Sequence, residues 1–302
     1  MTVSGPRSGG ATARTVVLTA VTMAAFASNS LLCRAALDSG VTDAATFTTL
    51  RLAAGAAVLA LLARGRSGSA AASGGGWGSA AALFVYALGF SLAYVRIPAG
   101  TGALLLFAAV QVTMLATGLW AGERPRPREW TGLLVSLAGL FALTRPGLAQ
   151  PDPPGAVLML GAGVAWGVYS LKGRGAPDAL AANAVNFARS VPLALLASMA
   201  SLALVSPRLT LRGAILALAS GAVASGLGYA LWYAALRGLT ATQAAIVQLS
   251  VPPLAAAGGV LLLDEVLTLR LVVAGAAILG GIALAVGASR PALVPSPGRS
   301  DG

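Results

Sequence analysis

Histidine is absent from the 302 residues of the chain. The sequence therefore lacks the commonest metal ligand and the side chain best suited to exchange protons near neutral pH. Its single cysteine, Cys33, excludes an internal disulfide. Charged residues make up only 10% of the chain and hydrophobic residues 57%, a balance that a soluble domain with an ordinary charged surface does not reach. We conclude that most of the chain faces lipid.

Long apolar runs with few or no charges recur along the whole chain. They lie at 15–33, 44–63, 77–95, 97–120, 129–146, 154–171, 180–205, 213–236, 240–263 and 271–289. A helix needs roughly 20 apolar residues to cross the hydrocarbon core, and it satisfies its own backbone hydrogen bonds there. The sequence thus predicts an all-α membrane protein of ten transmembrane helices, with disordered tails at 1–14 and 290–302. A signal peptide is the alternative for the first run, but its length favours a structural helix.

Basic residues outnumber acidic ones 20 to 9. In a soluble protein this excess would suggest a nucleic-acid partner, but no basic run here is interleaved with aromatic residues. The arginines instead lie between the apolar runs. With the N-terminus inside, twelve basic residues fall on the cytoplasmic side and six on the other, which favours an inner-membrane protein with both termini in the cytoplasm.

The two halves of the chain resemble each other in the order and spacing of five landmarks. The pairs are Arg34 with Arg174, Arg51 with Arg189, Arg96 with Arg237, Glu123 with Glu265, and Gly139 with Gly281. Their separations stay between 138 and 142 residues, which indicates an internal duplication. Each half, 15–146 and 154–289, holds five predicted helices. An odd number makes the second half enter the membrane from the opposite side, so we predict two inverted five-helix repeats.

Short motifs at matching places in the halves strengthen this interpretation. They are Ala99-Gly100-Thr101-Gly102-Ala103-Leu104, Trp120-Ala121-Gly122-Glu123-Arg124, Ala165-Trp166-Gly167-Val168-Tyr169-Ser170, Gly228-Tyr229-Ala230-Leu231-Trp232-Tyr233, Pro252-Pro253 and Asp264-Glu265. In this combination the chain resembles the EamA-type family of the drug/metabolite transporter superfamily. It departs from the family pattern where Val110-Gln111 stand opposite Pro252-Pro253, and where Phe26 stands opposite Trp166.

The resemblance implies a secondary transporter that exports amino acids or similar small metabolites by alternating access. Its expected partners are the lipid bilayer and a small-molecule substrate, with a homodimer left open. A channel or a non-transporting receptor is the alternative. A membrane-embedded enzyme fits less well, because the sequence offers no histidine base and no intramembrane aspartate pair. We expect no cofactor and no metal, and the lack of an intramembrane carboxylate leaves the driving force open.

Polar and aromatic residues within the predicted spans are the candidates for substrate contact. Arg51 and Arg189 are the basic ones, and each either attracts an anion or holds a helix junction. The amides either orient a polar ligand or bond across helices; they are Asn29, Gln111, Asn186, Gln243 and Gln248. The remaining candidates either wall the cavity or serve packing and the lipid interface; they are Tyr169, Trp232, Tyr233 and Pro252.

Overall fold

The computed structural model describes seven segments of the chain, namely residues 13–64, 74–120, 127–144, 151–174, 176–203, 206–236 and 247–286. Within these segments the chain is helical and contains no strand beyond one isolated bridge. The helices are α1 Ala13–Asp38, α2 Ala44–Leu62, α3 Trp77–Tyr94, α4 Ala99–Trp120, α5 Pro127–Thr144, α6 Pro153–Arg174, α7 Ala179–Ser201, α8 Leu211–Ala219, α9 Gly228–Leu236, α10 Val251–Leu262 and α11 Leu269–Val286. A π-helical segment, Ser220–Leu227, joins α8 to α9 into one rod.

Six helices are long and apolar enough to cross a membrane if the α8–α9 rod is counted as one: α1, α2, α3, α6, α7 and the α8–α9 rod. Four shorter apolar helices lie in the other predicted spans, at Ala99–Met114, Trp130–Gly139, Val251–Leu262 and Leu269–Gly281. The structure therefore confirms an all-helical chain with several membrane spans. Ten spans in two inverted repeats stay a prediction.

The α1–α2 connection is bonded to the α7–α8 connection. The Asp43 N–H donates to the carbonyl of Arg208 at 3.2 Å, and the Thr210 N–H donates to that of Val41 at 3.0 Å. The Asp43 side chain also caps α2 by accepting from the Thr46 N–H at 2.8 Å, which satisfies a backbone donor at the helix start. Asp43 therefore caps the start of α2 and also bonds the α1–α2 connection to the α7–α8 connection. We call this side of the bundle the Asp43 end.

Other connections lie either at the Asp43 end or at the opposite side of the bundle. Glu265, between α10 and α11, accepts from the Ala99 N–H at 2.7 Å and lies 3.4 Å from the Arg34 guanidinium. The opposite side, which we call the Gly75 end, brings the α2–α3 connection against α7, since the Gly76 N–H donates to Asn186 at 3.0 Å. The α1–α2, α2–α3 and α3–α4 connections therefore lie at the Asp43 end, the Gly75 end and the Asp43 end in turn.

Helices of the first half pack against helices of the second. α2 packs against α7, α4 against α10 and α5 against α11, and the pairing of α3 with α6 is matched by that of the α8–α9 rod with α1. The equivalent glycines occupy the same α5–α11 crossing. A Cβ at Gly139 would lie 3.0 Å from the Ala277 Cβ, and one at Gly281 would lie 2.5 Å from the Gly132 carbonyl. A two-fold relation between the halves predicts this exchange of contacts.

The ninth predicted span differs most from its sequence prediction. We expected Pro252 and Pro253 to lie within one continuous helix over 240–263. Of the residues that the structure describes there, Val247 and Gln248 are helical, Leu249 and Ser250 form a turn, and α10 begins at Val251. Both prolines lie in the first turn of α10, where a backbone N–H has no partner within the helix. They therefore start α10 directly after a two-residue break, which follows the helical residues Val247 and Gln248.

Candidate functional site

Five side chains from both halves form one hydrogen-bonded cluster in the middle of the bundle, which we call the central polar cluster. Ser220 donates to Asn29 Oδ1 at 2.6 Å, and Asn29 donates to the Tyr86 hydroxyl at 3.4 Å. Arg51 donates through Nη2 to the same hydroxyl at 3.0 Å and through Nε to Ser225 Oγ at 3.2 Å. α1, α2 and α3 of the first half therefore share a polar site with the π-helical segment of the second.

Arg51 carries the charge of this cluster. Its side chain is only 1% exposed, and it forms no ion pair with a carboxylate among the residues that the structure describes. The guanidinium lies 5.2 Å from the centre of the Tyr86 ring and 5.0 Å from that of Phe90. One of its nitrogens, Nη1, is buried without a hydrogen-bond partner in the described part of the chain. A buried cation with a free donor is suited to bind an anionic group.

A narrow cavity beside the cluster has a mostly aromatic wall. Its lining comprises Phe26, Asn29, Ser30, Tyr86, Phe90, Leu106, Phe107, Trp166 and Tyr229. Trp166 packs between Tyr86 and Tyr229, with ring centres 4.9 and 5.0 Å away. The Tyr229 hydroxyl is a second buried group that lacks a partner among the described residues. The cavity therefore combines a large apolar surface with a hydroxyl that can donate or accept.

The predicted aromatic candidates are placed within or beside this wall. Tyr169 is buried and donates a hydrogen bond to Asn183, while its ring packs 5.7 Å from that of Trp166. Trp232 is also buried, with its ring 5.8 Å from that of Phe26. Both therefore lie inside the bundle and not at a lipid interface. Tyr233 is only partly buried.

The structure distributes the other candidates over different regions. Asn29 belongs to the central polar cluster. Gln111 is partly buried on α4, and Gln248 is buried in a helical residue pair just before the turn that precedes α10, but neither lines the cavity. Pro252 is buried in the first turn of α10. Gln243 lies outside the described residues.

Arg189 occupies the sequence position equivalent to Arg51 but has a different environment. It donates to the Gly75 carbonyl at 3.3 Å and lies 5.6 Å from the centre of the Trp77 ring. Asn186, one turn earlier on α7, accepts from the Gly76 N–H. These two side chains therefore bond to the α2–α3 connection at the Gly75 end.

Comparison with known proteins identifies the family. Residues 153–287 match the model of the EamA-like transporter family. The chain belongs to this family. A relative from Pseudomonas aeruginosa, the uncharacterized protein PA1977, is 55% identical over 273 residues, which cover 90% of this chain and 94% of the relative. A protein known from a crystal structure has the same fold, with a TM-score of 0.62 and 23% identity over 89% of this chain and 98% of its own.

Family membership and the apolar helices together make this a multi-pass protein of a lipid bilayer. The sequence did not single out three members of the central polar cluster, namely Tyr86, Ser220 and Ser225. Serine and tyrosine are unremarkable in apolar helices, because their hydroxyls bond to nearby backbone carbonyls or reach the interface. The sequence carries one signal for the two serines of the cluster, which is the spacing of five residues between Ser220 and Ser225.

Proposed function

We propose that this member of the EamA-like transporter family is a secondary transporter that exports amino acids or similar small metabolites. The two five-helix halves would move around the central polar cluster in alternating access. The observation that carries the proposal is the buried Arg51 guanidinium. Its Nη1 has no partner among the residues that the structure describes, and its other partners come from both halves. Transporters built from inverted repeats bind substrate near the bilayer midplane, where the halves meet.

The chemistry of the cluster favours a substrate that carries a carboxylate. Arg51 Nη1 is the donor for that group, and the low polarity of its surroundings strengthens the interaction. The aromatic wall of Phe26, Trp166 and Tyr229 suits an apolar side chain. The free Tyr229 hydroxyl is able to accept a hydrogen bond from an amino group. An amino acid with an apolar side chain satisfies all three features.

Charge sets the proposed direction of insertion. The excess of basic residues in alternate connections places the Gly75 end in the cytoplasm and the Asp43 end outside. Both termini are then cytoplasmic, and the bilayer is the inner membrane. Export follows in this proposal when substrate enters from the Gly75 end and leaves at the Asp43 end.

Counterflow in proteoliposomes tests the proposal. Purified protein is reconstituted with an internal excess of unlabelled phenylalanine, leucine or methionine, and entry of the labelled compound is followed. A carrier gives a transient, saturable accumulation that requires the internal compound, whereas a channel gives flux that only equalises concentrations. Empty liposomes are the control. Flux that does not saturate would establish the channel alternative, and the absence of counterflow for all three compounds would exclude the proposed substrate class.

Direction is tested in cells. Overproduction should lower the intracellular level of a transported amino acid and raise its level in the medium, compared with cells that produce the Arg51→Gln variant. A higher intracellular level would show import instead.

A further inference from the structure

The π-helical segment contains a repeated dipeptide, Ser220-Gly221 followed by Ser225-Gly226, with a spacing of five residues. In an α-helix, residues five apart point about 140° away from each other, because each residue turns the chain by about 100°. In a π-turn the hydrogen bond joins residues five apart, so such residues share a face. The Gly228 N–H indeed donates to the Val223 carbonyl five residues earlier. The dipeptide repeat therefore matches the π period.

Both glycines of the repeat face α2. A Cβ at Gly221 would lie 2.8 Å from the Ala54 Cβ, and one at Gly226 would lie 3.0 Å from the Val58 Cβ. Ala54 and Val58 are four residues apart on an ordinary α-helix, whereas the glycines are five apart. The segment therefore needs the wider turn to keep in register with α2 at this close approach.

Both serines of the repeat face the central polar cluster. Ser220 bonds Asn29 and Ser225 bonds Arg51, and both serines are fully buried. The opposite side of the segment carries Val223, which is 56% exposed toward the surroundings of the bundle. An α-helical segment with the same sequence would turn one serine of the pair away from the cluster.

We infer that Ser220 and Ser225 are positioning residues of the substrate site, brought to one face by the π-turn. This rests on the proposed function. Ser225 accepts from Nε and Tyr86 accepts from Nη2, so these two hydroxyls fix the plane of the Arg51 guanidinium and leave Nη1 without a partner among the described residues. A planar guanidinium recognises a carboxylate well only when it is held in orientation.

A register test decides the inference. Four variants are purified beside the wild type: Ser225→Ala, Ala224→Ser, the double variant Ala224→Ser/Ser225→Ala, and the control Ser190→Ala. Ser190 is equally buried, but it bonds only to carbonyls of its own helix, those of Asn186 and Phe187. The Tm of each detergent-solubilised variant is measured first, because it needs no substrate. KM is then measured for phenylalanine in counterflow, and the inhibition constant for phenylalaninamide, which lacks the carboxylate.

In the π register, we expect Ser225→Ala to lower the Tm by several degrees. The Tm of the double variant, corrected for the effect of Ala224→Ser alone, should then be as low as that of Ser225→Ala. The KM for phenylalanine rises about tenfold, because a guanidinium that is no longer held in its plane binds the carboxylate less well, while inhibition by the amide is unchanged. Ser190→Ala leaves the ratio of the two constants at the wild-type value.

Recovery of Tm in the double variant would overturn the inference, because it would place residues 220 and 224 on one face, as in an α-helix. A wild-type Tm for Ser225→Ala would also overturn it. The KM for phenylalanine and the inhibition constant for its amide could also rise together in Ser225→Ala. That result would show that Ser225 serves packing and does not position Arg51 for a carboxylate. If the wild type shows no counterflow, the proposed function fails, and the Tm series alone then decides the register.

Discussion

Arg51 should be more important for transport than for folding. Its guanidinium is fully buried, and no described carboxylate compensates its charge. On insertion scales an arginine at the helix centre costs about 2.5–3.5 kcal/mol, whereas each hydrogen bond to a charged group returns about 1.5–3 kcal/mol. Arg51 makes two such bonds, to Tyr86 and Ser225. The two bonds together return about 3–6 kcal/mol, which at the lower end of this range nearly cancels the cost, so Arg51→Gln should change Tm by only a few degrees.

Transport should respond much more strongly to the same change. The loss of one charge-assisted contact to a substrate carboxylate weakens binding by about 1.5–3 kcal/mol, which is roughly 10- to 150-fold. Arg51→Lys keeps the charge but loses the two fixed bonds from Nε and Nη2, so it should recover little of the loss. The assay is phenylalanine counterflow divided by the amount of folded protein, which fluorescence-detected size exclusion measures.

Arg189 provides the matched control for Arg51. Because it holds the Gly75 carbonyl and packs on Trp77, Arg189→Gln should lower the amount of folded protein and leave the transport per folded molecule near normal. Wild-type specific transport in both Arg51 variants would refute the anion-site argument. A selective transport defect at Arg189 would transfer that role to the second half.

Three further predictions concern the scaffold. Gly281→Ala places a Cβ 2.5 Å from a carbonyl of α5 and should lower Tm, whereas Gly280→Ala meets no atom within 4 Å and should not. Partial burial raises the pKa of the Asp43 carboxyl, but hydrogen bonds from backbone N–H groups outweigh it and lower the pKa below its usual value. The Tm difference between wild type and Asp43→Asn should therefore be full above the ordinary aspartate pKa and vanish as the pH falls through the lowered one. A cysteine reporter at Arg66 should be labelled from the cytoplasm and one at Arg145 from outside, and labelling of both from one side would exclude the inverted repeat.

Much of the fold follows from the sequence, because a lipid-facing chain has few alternatives to helices. The run at 44–63 becomes α2, Ala44–Leu62, almost residue for residue. The described part of the run at 240–263 is interrupted by a turn at Leu249 and Ser250, after which Pro252 lies in the first turn of α10. Hydropathy measures apolar content, and it does not register where a helix begins within an apolar run.

The candidate site was predictable only in part. Arg51 and Asn29 were identified because ionised and amide groups are costly in a bilayer and therefore mark special positions. Ser225 was not, because its partner lies 174 residues earlier in the chain. The difference between Arg51 and Arg189 was also hidden, since it depends on which neighbouring segment each side chain meets.

The bonded connections at the Asp43 end act as a bias on the conformational equilibrium. The bonds of Asp43 with Arg208, Thr210 with Val41, and Glu265 with Ala99 each join one half to the other. In the proposed cycle they have to break before this end opens, and each contributes about 1 kcal/mol in favour of the closed state. Since about 1.4 kcal/mol changes a population ratio tenfold, the three together amount to roughly two powers of ten. Substrate in the central site then has to bind the open state more tightly by a comparable factor to reverse that preference.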